Sequence, residues 1–167
     1  MKRVIEPWTD GRPEPLEILS RLAGSTTFRV PAGGGKATIS IDDISHALGR
    51  VSERLSALIA GAIACGRVKE WPQIHAAAYP RLHRQLTDDR RTRQLVVGAK
   101  RYRIRLVLHD AFLDLVHQRE VNWTAGAKKC RMQRRTYREL HHAVTGYLRT
   151  EAVSAAHEAM THLFNKH

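Results

Sequence analysis

Ile41, Ile44, Leu48, Val51, Leu55, Leu58 and Ala62 recur at alternating intervals of three and four residues. A helix advances about 100° per residue, so this spacing lays all of them along one stripe; a strand would scatter them over two faces. The pattern predicts a core helix beginning near Asp42, capped by Ser40 or Asp42 and closed by Gly66, with "SERLS" on its wet side. A dimer seam is the alternative use of the same stripe.

The remaining apolar spacings are also helical. "WPQIHAAAYPRLHRQLTDD" is interrupted by Pro72 and Pro80 and predicts short helices meeting at an angle. A long helix is expected from Asp88 or Asp89 to about Gln118, with an apolar stripe of Leu95, Ala99, Tyr102, Leu106, Leu113 and Val116, widened by Val96 and Phe112. "LEILSRLAG" reads as a short helix closed by Gly24, within a first 40 residues that are otherwise irregular and rich in Pro and Gly. "FRVPA" and "KATISI" are the only strand candidates. "GGGK" lacks the spacing of a phosphate-cradling loop and reads as a hinge. The expected fold class is all-α: an irregular segment at 1–40, a helical body at 41–120, and a C-terminal helix-turn-helix with a trailing helix at 121–167.

Charge narrows the function. Residues 1–60 carry eight basic and seven acidic side chains, whereas 61–167 carry twenty and nine and so hold +11 of the net +12. Such an excess repels itself unless a polyanion or an acidic surface relieves it, and nucleic acid is the leading partner. Part of the excess lies in Arg90, Arg91, Arg93, Lys100, Arg101, Arg103 and Arg105, a secondary basic patch suited to phosphates or to acidic protein. On one unbroken helix Arg101 and Arg105 would share a face, as would Arg90, Arg93 and Lys100.

The other concentration is "TAGAKKCRMQRRTYRELHHAV", with Lys or Arg at six positions between Lys128 and Arg138. Thr124 can cap a short helix over about 125–130, and a second helix would run from Gln133 to about Arg149. "CRMQ" leaves room only for a turn, so the two helices must cross at a large angle. Ala127 is small where the second helix approaches, and Met132, Tyr137 and Leu140 are apolar where the angle must be filled. Arg131 occupies the left-handed turn position that usually carries glycine, at a cost of about 1 kcal/mol. With Tyr137, Leu140 and Val144 inward, the outer face shows Gln133, Arg134, Arg135, Arg138, His141 and His142. Gln133, Arg134, Arg135 and Arg138 are the base-reading candidates, because Arg can donate two hydrogen bonds to guanine and Gln can pair with adenine. Thr124, Lys128, Lys129, Arg131, His141 and His142 are candidates for phosphate contact.

"AGAKKCRMQRRTYRELHHAVTGYL" resembles the promoter-reading helix-turn-helix at the C-terminal end of bacterial sigma factors, over about residues 123–150. With a short, basic, all-helical body, the chain is similar to small bacteriophage late-gene regulators of the antitermination protein Q type. That resemblance implies double-stranded DNA and RNA polymerase as partners, the cytoplasm of a bacterial host as location, and suppression of termination as activity. The cysteine-rich, zinc-binding branch of those regulators does not fit, since Cys65 and Cys130 are the only cysteines.

Other classes fit less well. No GxSxG, HExxH or paired-cysteine pattern is present, so neither an enzyme nor a cofactor or metal site is expected. His109, Asp110, Asp114 and His117 lie at helical spacings, but a metal would need further ligands from another element. Asp88 and Asp89 read as caps. No apolar run is long enough to span a membrane, and the N-terminal stretch does not read as a secretory signal. The small, DNA-recognising subunit of a phage packaging machine is the alternative function, and a homodimer is compatible with the apolar tail "TEAVSAAHEAMTHLFNKH".

Overall fold

The computed structural model describes residues 13–24, 28–29 and 38–165. Among them are helices α1 Pro15–Gly24, α2 Ile41–Gly49, α3 Arg54–Cys65, α4 Trp71–Asp88, α5 Arg90–Val97, α6 Arg101–His117, α7 Trp123–Lys129 and α8 Arg134–Phe164. A minimal antiparallel pair, β1 Phe28–Arg29 and β2 Thr38–Ile39, sets Phe28 opposite Ile39. The all-α expectation holds, and the pair falls within the strand candidates. "GGGK" lies outside the described residues.

α8 organises the bundle. It runs 31 residues and packs against every one of the other helices. Its inner face is large near the start, with Tyr137, Leu140, Val144 and Leu148, and small toward the end, with Ala152, Ala155, Ala156 and Ala159 all buried. Alanine at those positions lets α1, α2 and α3 approach closely, so Leu19, Leu22, Ile44 and Ile59 are almost fully covered. Each such Leu or Ile contributes about 1.5–3 kcal/mol on burial. Polar ties fix the register. The Ser52 amide and hydroxyl donate to Glu158 at 2.8 and 2.9 Å, Ser56 donates to Glu151, and Arg149 pairs with Glu14 at 3.0 Å. The expected tail helix is therefore the second half of α8, and buried residues from Leu16 to Ala159 form one cluster.

Three expectations change. The 41–62 stripe belongs to two helices, because α2 ends at Gly49 and Glu53 caps α3 through the Leu55 amide. Both turn the same side to α8, which preserves the spacing; yet Ile41 is 45% exposed, and Ser56, expected on the wet side, is buried. Ser40 does cap α2, in a capping box with Asp43, and Gly66 closes α3 at φ +64°. α4 is one helix, not several. Pro72 lies in its first turn, where no amide bond is lost, and Pro80 is on the exposed side. An interior proline costs about 3 kcal/mol, offset by burial of Ile74, Ala78, Leu82 and Leu86.

The expected 88–118 helix is broken. α5 stops at Val97, Lys100 is extended, and α6 starts afresh at Arg101. The restart shifts the buried face to Ile104, Val107, Leu108, Ala111, Phe112 and Val116 and leaves Tyr102 44% exposed. The short helix expected at "LEILSRLAG" is α1, which ends at Gly24 and buries Leu16, Leu19 and Leu22 against α3 and α8.

Candidate nucleic-acid interface

α7 begins two residues earlier than expected. Asn122, not Thr124, is the cap, its Oδ1 accepting from the Ala125 amide at 3.0 Å. Thr124 is exposed in the first turn. The chain leaves α7 through Arg131 at φ +52°, the left-handed residue anticipated there, and the Met132 amide returns to the Ala127 carbonyl at 2.9 Å. Gln133 then opens α8 in an extended conformation, its side chain making no cap bond.

The helices cross where Tyr137 meets Gly126. A Cβ on Gly126 would lie 2.3 Å from the Tyr137 hydroxyl and ring, so the position requires the absence of a side chain. The expected small residue, Ala127, is buried beside it. Tyr137 is 2% exposed, and Leu140 and Val144 are fully buried, as the inward stripe required.

α6 anchors this unit through Asp110 and Asp114, two of the acidic and histidine residues that lie at helical spacings in the sequence. Asp110 accepts from the Tyr137 hydroxyl at 3.2 Å and the Cys130 thiol at 3.8 Å, and pairs with Lys129. Asp114 binds His141 Nε2 at 2.9 Å, and the other ring nitrogen of His141 meets Thr145 Oγ1 at 3.3 Å. Asp110 and Asp114 are four residues apart and so project from one side of α6. Among the described residues no His, Cys, Asp or Glu cluster could hold a metal ion.

His141 is thus a correction. It is 2% exposed, held by Asp114 and lying 5.3 Å from Trp123 ring to ring, so it has no route to a phosphate. Its neighbour His142 is exposed against the same indole at 5.1 Å. Lys129 is half spent on Asp110. Lys128 and Arg131 are exposed.

The four candidates for base reading lie close together in the chain. Gln133, Arg134, Arg135 and Arg138 are all exposed on the turn and the first turns of α8. Arg135 is 90% exposed and pairs with Glu139 at 3.0 Å, while the Arg138 guanidinium lies 5.8 Å over Trp123. An exposed i,i+4 pair is worth a few tenths of a kcal/mol, so Arg135 can be recruited cheaply.

No family model, curated protein or solved structure matches this chain.

The secondary basic patch divides. Arg90 and Arg91 are exposed at the start of α5. Arg93 caps α4, its Nε donating to the Thr87 carbonyl at 2.7 Å, and is structural. Lys100 and Arg103 gather with Arg131 about Tyr102; the Arg103 hydrogen bond first, then the nearby positive charges, hold that phenol below its usual range. Arg101 and Arg105 face the other way, toward α4, where the Arg105 guanidinium lies 4.7 Å over Tyr79. The break at residues 98–100 separates these groups, and the expected Arg90, Arg93 and Lys100 face does not exist.

Buried protons give the unit an alkaline limit. Burial, reinforced by Asp110, pushes the Cys130 thiol up to about 11 and the Tyr137 phenol well above its ordinary value. Burial and then Glu151 push Tyr147 up to about 12. A group whose folded pKa is raised contributes stability that is intact below its unfolded value and lost as pH rises through the folded one. Urea midpoints should therefore be flat below about pH 9 and fall toward pH 12, and Cys130→Ala should delay the onset to about pH 10, the phenol value. A midpoint unchanged to pH 12 would contradict this coupling.

Proposed function

We propose that the chain reads duplex DNA in sequence-specific fashion and regulates transcription, with the first turns of α8 in the major groove. One observation carries the reading: a tight α7–α8 joint with left-handed Arg131 holds Gln133, Arg134, Arg135 and Arg138 outward from a fully packed base. That is the geometry in which a recognition helix offers its N-terminal residues to base edges. Lys128 and Arg131, with Lys100 and Arg103 alongside, supply positive charge for the flanking phosphates. The sigma-like helix-turn-helix and the resemblance to Q-type late-gene regulators make antitermination on RNA polymerase the role proposed for it.

Selection of bound sequences from random duplexes, repeated with RNA polymerase present, tests this reading. A recovered motif of a few base pairs, extended or tightened by polymerase, is the expected result. Recovery of no motif under either condition rejects sequence reading. Lys128→Ala should weaken every duplex alike and reduce the slope of log affinity against log salt by about one. A loss confined to the selected motif would reassign Lys128 to base contact.

A further inference from the structure

A second cluster of rings and guanidinium groups lies on α4 and α6. Along α4, Trp71, His75, Tyr79 and His83 follow one another at intervals of four, so their rings form a ladder. Successive centroids are 5.3, 5.9 and 5.9 Å apart, and all four residues are half-buried, none sealed. The lower end is anchored to α6, with Trp71 4.8 Å from His109 and 4.9 Å from Phe112. The upper end opens into a cleft of about 450 Å³ lined by Tyr79, His83, Arg84 and Arg101, with Asp88 on its wall. That volume falls within the range of about 300–1,000 Å³ typical of small-ligand sites.

Charge and ring surface coincide here. Arg105 is exposed and lies 4.7 Å over the Tyr79 ring. Arg84, Arg101 and Arg105 have no carboxylate within ion-pair distance among the described residues, so one acid, Asp88, stands against three guanidinium groups. The buried Tyr79 hydroxyl has no hydrogen-bond partner among the described residues. His75 is held below its ordinary pKa by burial and then by Arg105, and His109 by burial and then by Lys129; both present neutral flat rings at neutral pH.

Phosphate alone would need only the cations, and a ring ladder adds nothing to a duplex, whose base faces are already stacked. Unpaired bases have free faces, and sites for single strands combine a positive groove with aromatic and guanidinium planes. We propose that the α4–α6 face binds single-stranded nucleic acid, its bases stacking on Tyr79, His83 and Arg105 and its phosphates meeting Arg84 and Arg101. This site goes beyond the duplex-reading role of α8 and stands without it.

Fluorescence anisotropy on the full chain tests the proposal, using labelled oligo-uridine and oligo-deoxythymidine of about twelve nucleotides, an abasic oligonucleotide of equal length, and a random duplex. Both base-bearing strands should bind more tightly than the abasic one; a preference between them names RNA or DNA as the source. Arg101→Gln/Arg105→Gln, at exposed positions where folding is not at risk, should weaken single-strand binding about tenfold and change duplex binding less than twofold. Tyr79→Leu should do the same to the strand, about tenfold for one lost stack. Arg134→Ala/Arg135→Ala should leave single-strand binding within about twofold, its loss falling on the selected duplex instead, so failure of the duplex role and failure of this one are distinguishable. Equal affinity for the abasic strand, indifference to Arg101→Gln/Arg105→Gln, or loss of strand binding in Arg134→Ala/Arg135→Ala would each overturn the proposal. Displacement of the strand by polyglutamate at equal charge would also overturn it, and would give the face to an acidic protein.

Discussion

Gly126→Ala should lower the stability of the protein by about 2–3 kcal/mol, the cost of overpacking a closed site. The added methyl would sit 2.3 Å from the Tyr137 hydroxyl, and that ring cannot step aside, being 2% exposed and bonded through its hydroxyl to Asp110. For a chain of this size each kcal/mol moves the melting midpoint by about 2–4 °C, so a drop of roughly 4–12 °C is expected. A second substitution isolates the cause. Tyr137→Leu removes the atoms that the methyl meets, so Gly126→Ala should cost markedly less in its presence than alone. Additive losses would mean that α7 and α8 do not touch where their crossing requires.

Arg134→Ala/Arg135→Ala should reduce affinity for a selected duplex about a hundredfold or more while leaving random duplex within several-fold. Each bidentate arginine is worth about 1–3 kcal/mol of discrimination at its base pair. Folding should be unaffected, because both side chains are exposed and Arg135 makes only the surface pair with Glu139. Binding by each single substitution to a panel of point-changed sites checks the assignment. Each should relax specificity at one position of the site, and a uniform loss across all positions would move these arginines to the phosphate set.

Much of this architecture was legible because helix spacing survives tertiary context. Tyr137, Leu140 and Val144 were readable as inward, and Arg131 as left-handed, since short-range sterics settle both. His141 was misread for a physical reason. It flanks the inward stripe, and a polar residue there goes inside only when a partner on another helix accepts it; Asp114 is 27 residues away and has no local signature beyond its spacing from Asp110. The break near Gly49 was hidden for the opposite reason: apolar period is blind to an interruption when both pieces turn the same side inward, as α2 and α3 do. The break after Gly98 was hidden because Ala99, Tyr102 and Leu106 continue the period of Leu95 in the sequence, although α6 buries a different face. Pro80 misled because a solvent-facing proline can be carried by a well-buried opposite face. Gly126 stood within the quoted motif, but only coordinates could place the Tyr137 ring against it rather than against Ala127.

The unbroken 31-residue α8 spans about 46 Å at 1.5 Å per residue. No joint interrupts it between the arginine end and the alanine end wedged among α1, α2 and α3. If the first end sits in a groove, the far end is held at a fixed azimuth around the double helix, like the hand of a clock. Anything gripping that far end inherits the same phase, and moving its own site by about half a helical turn of DNA, roughly five base pairs, would swing it to the opposite side.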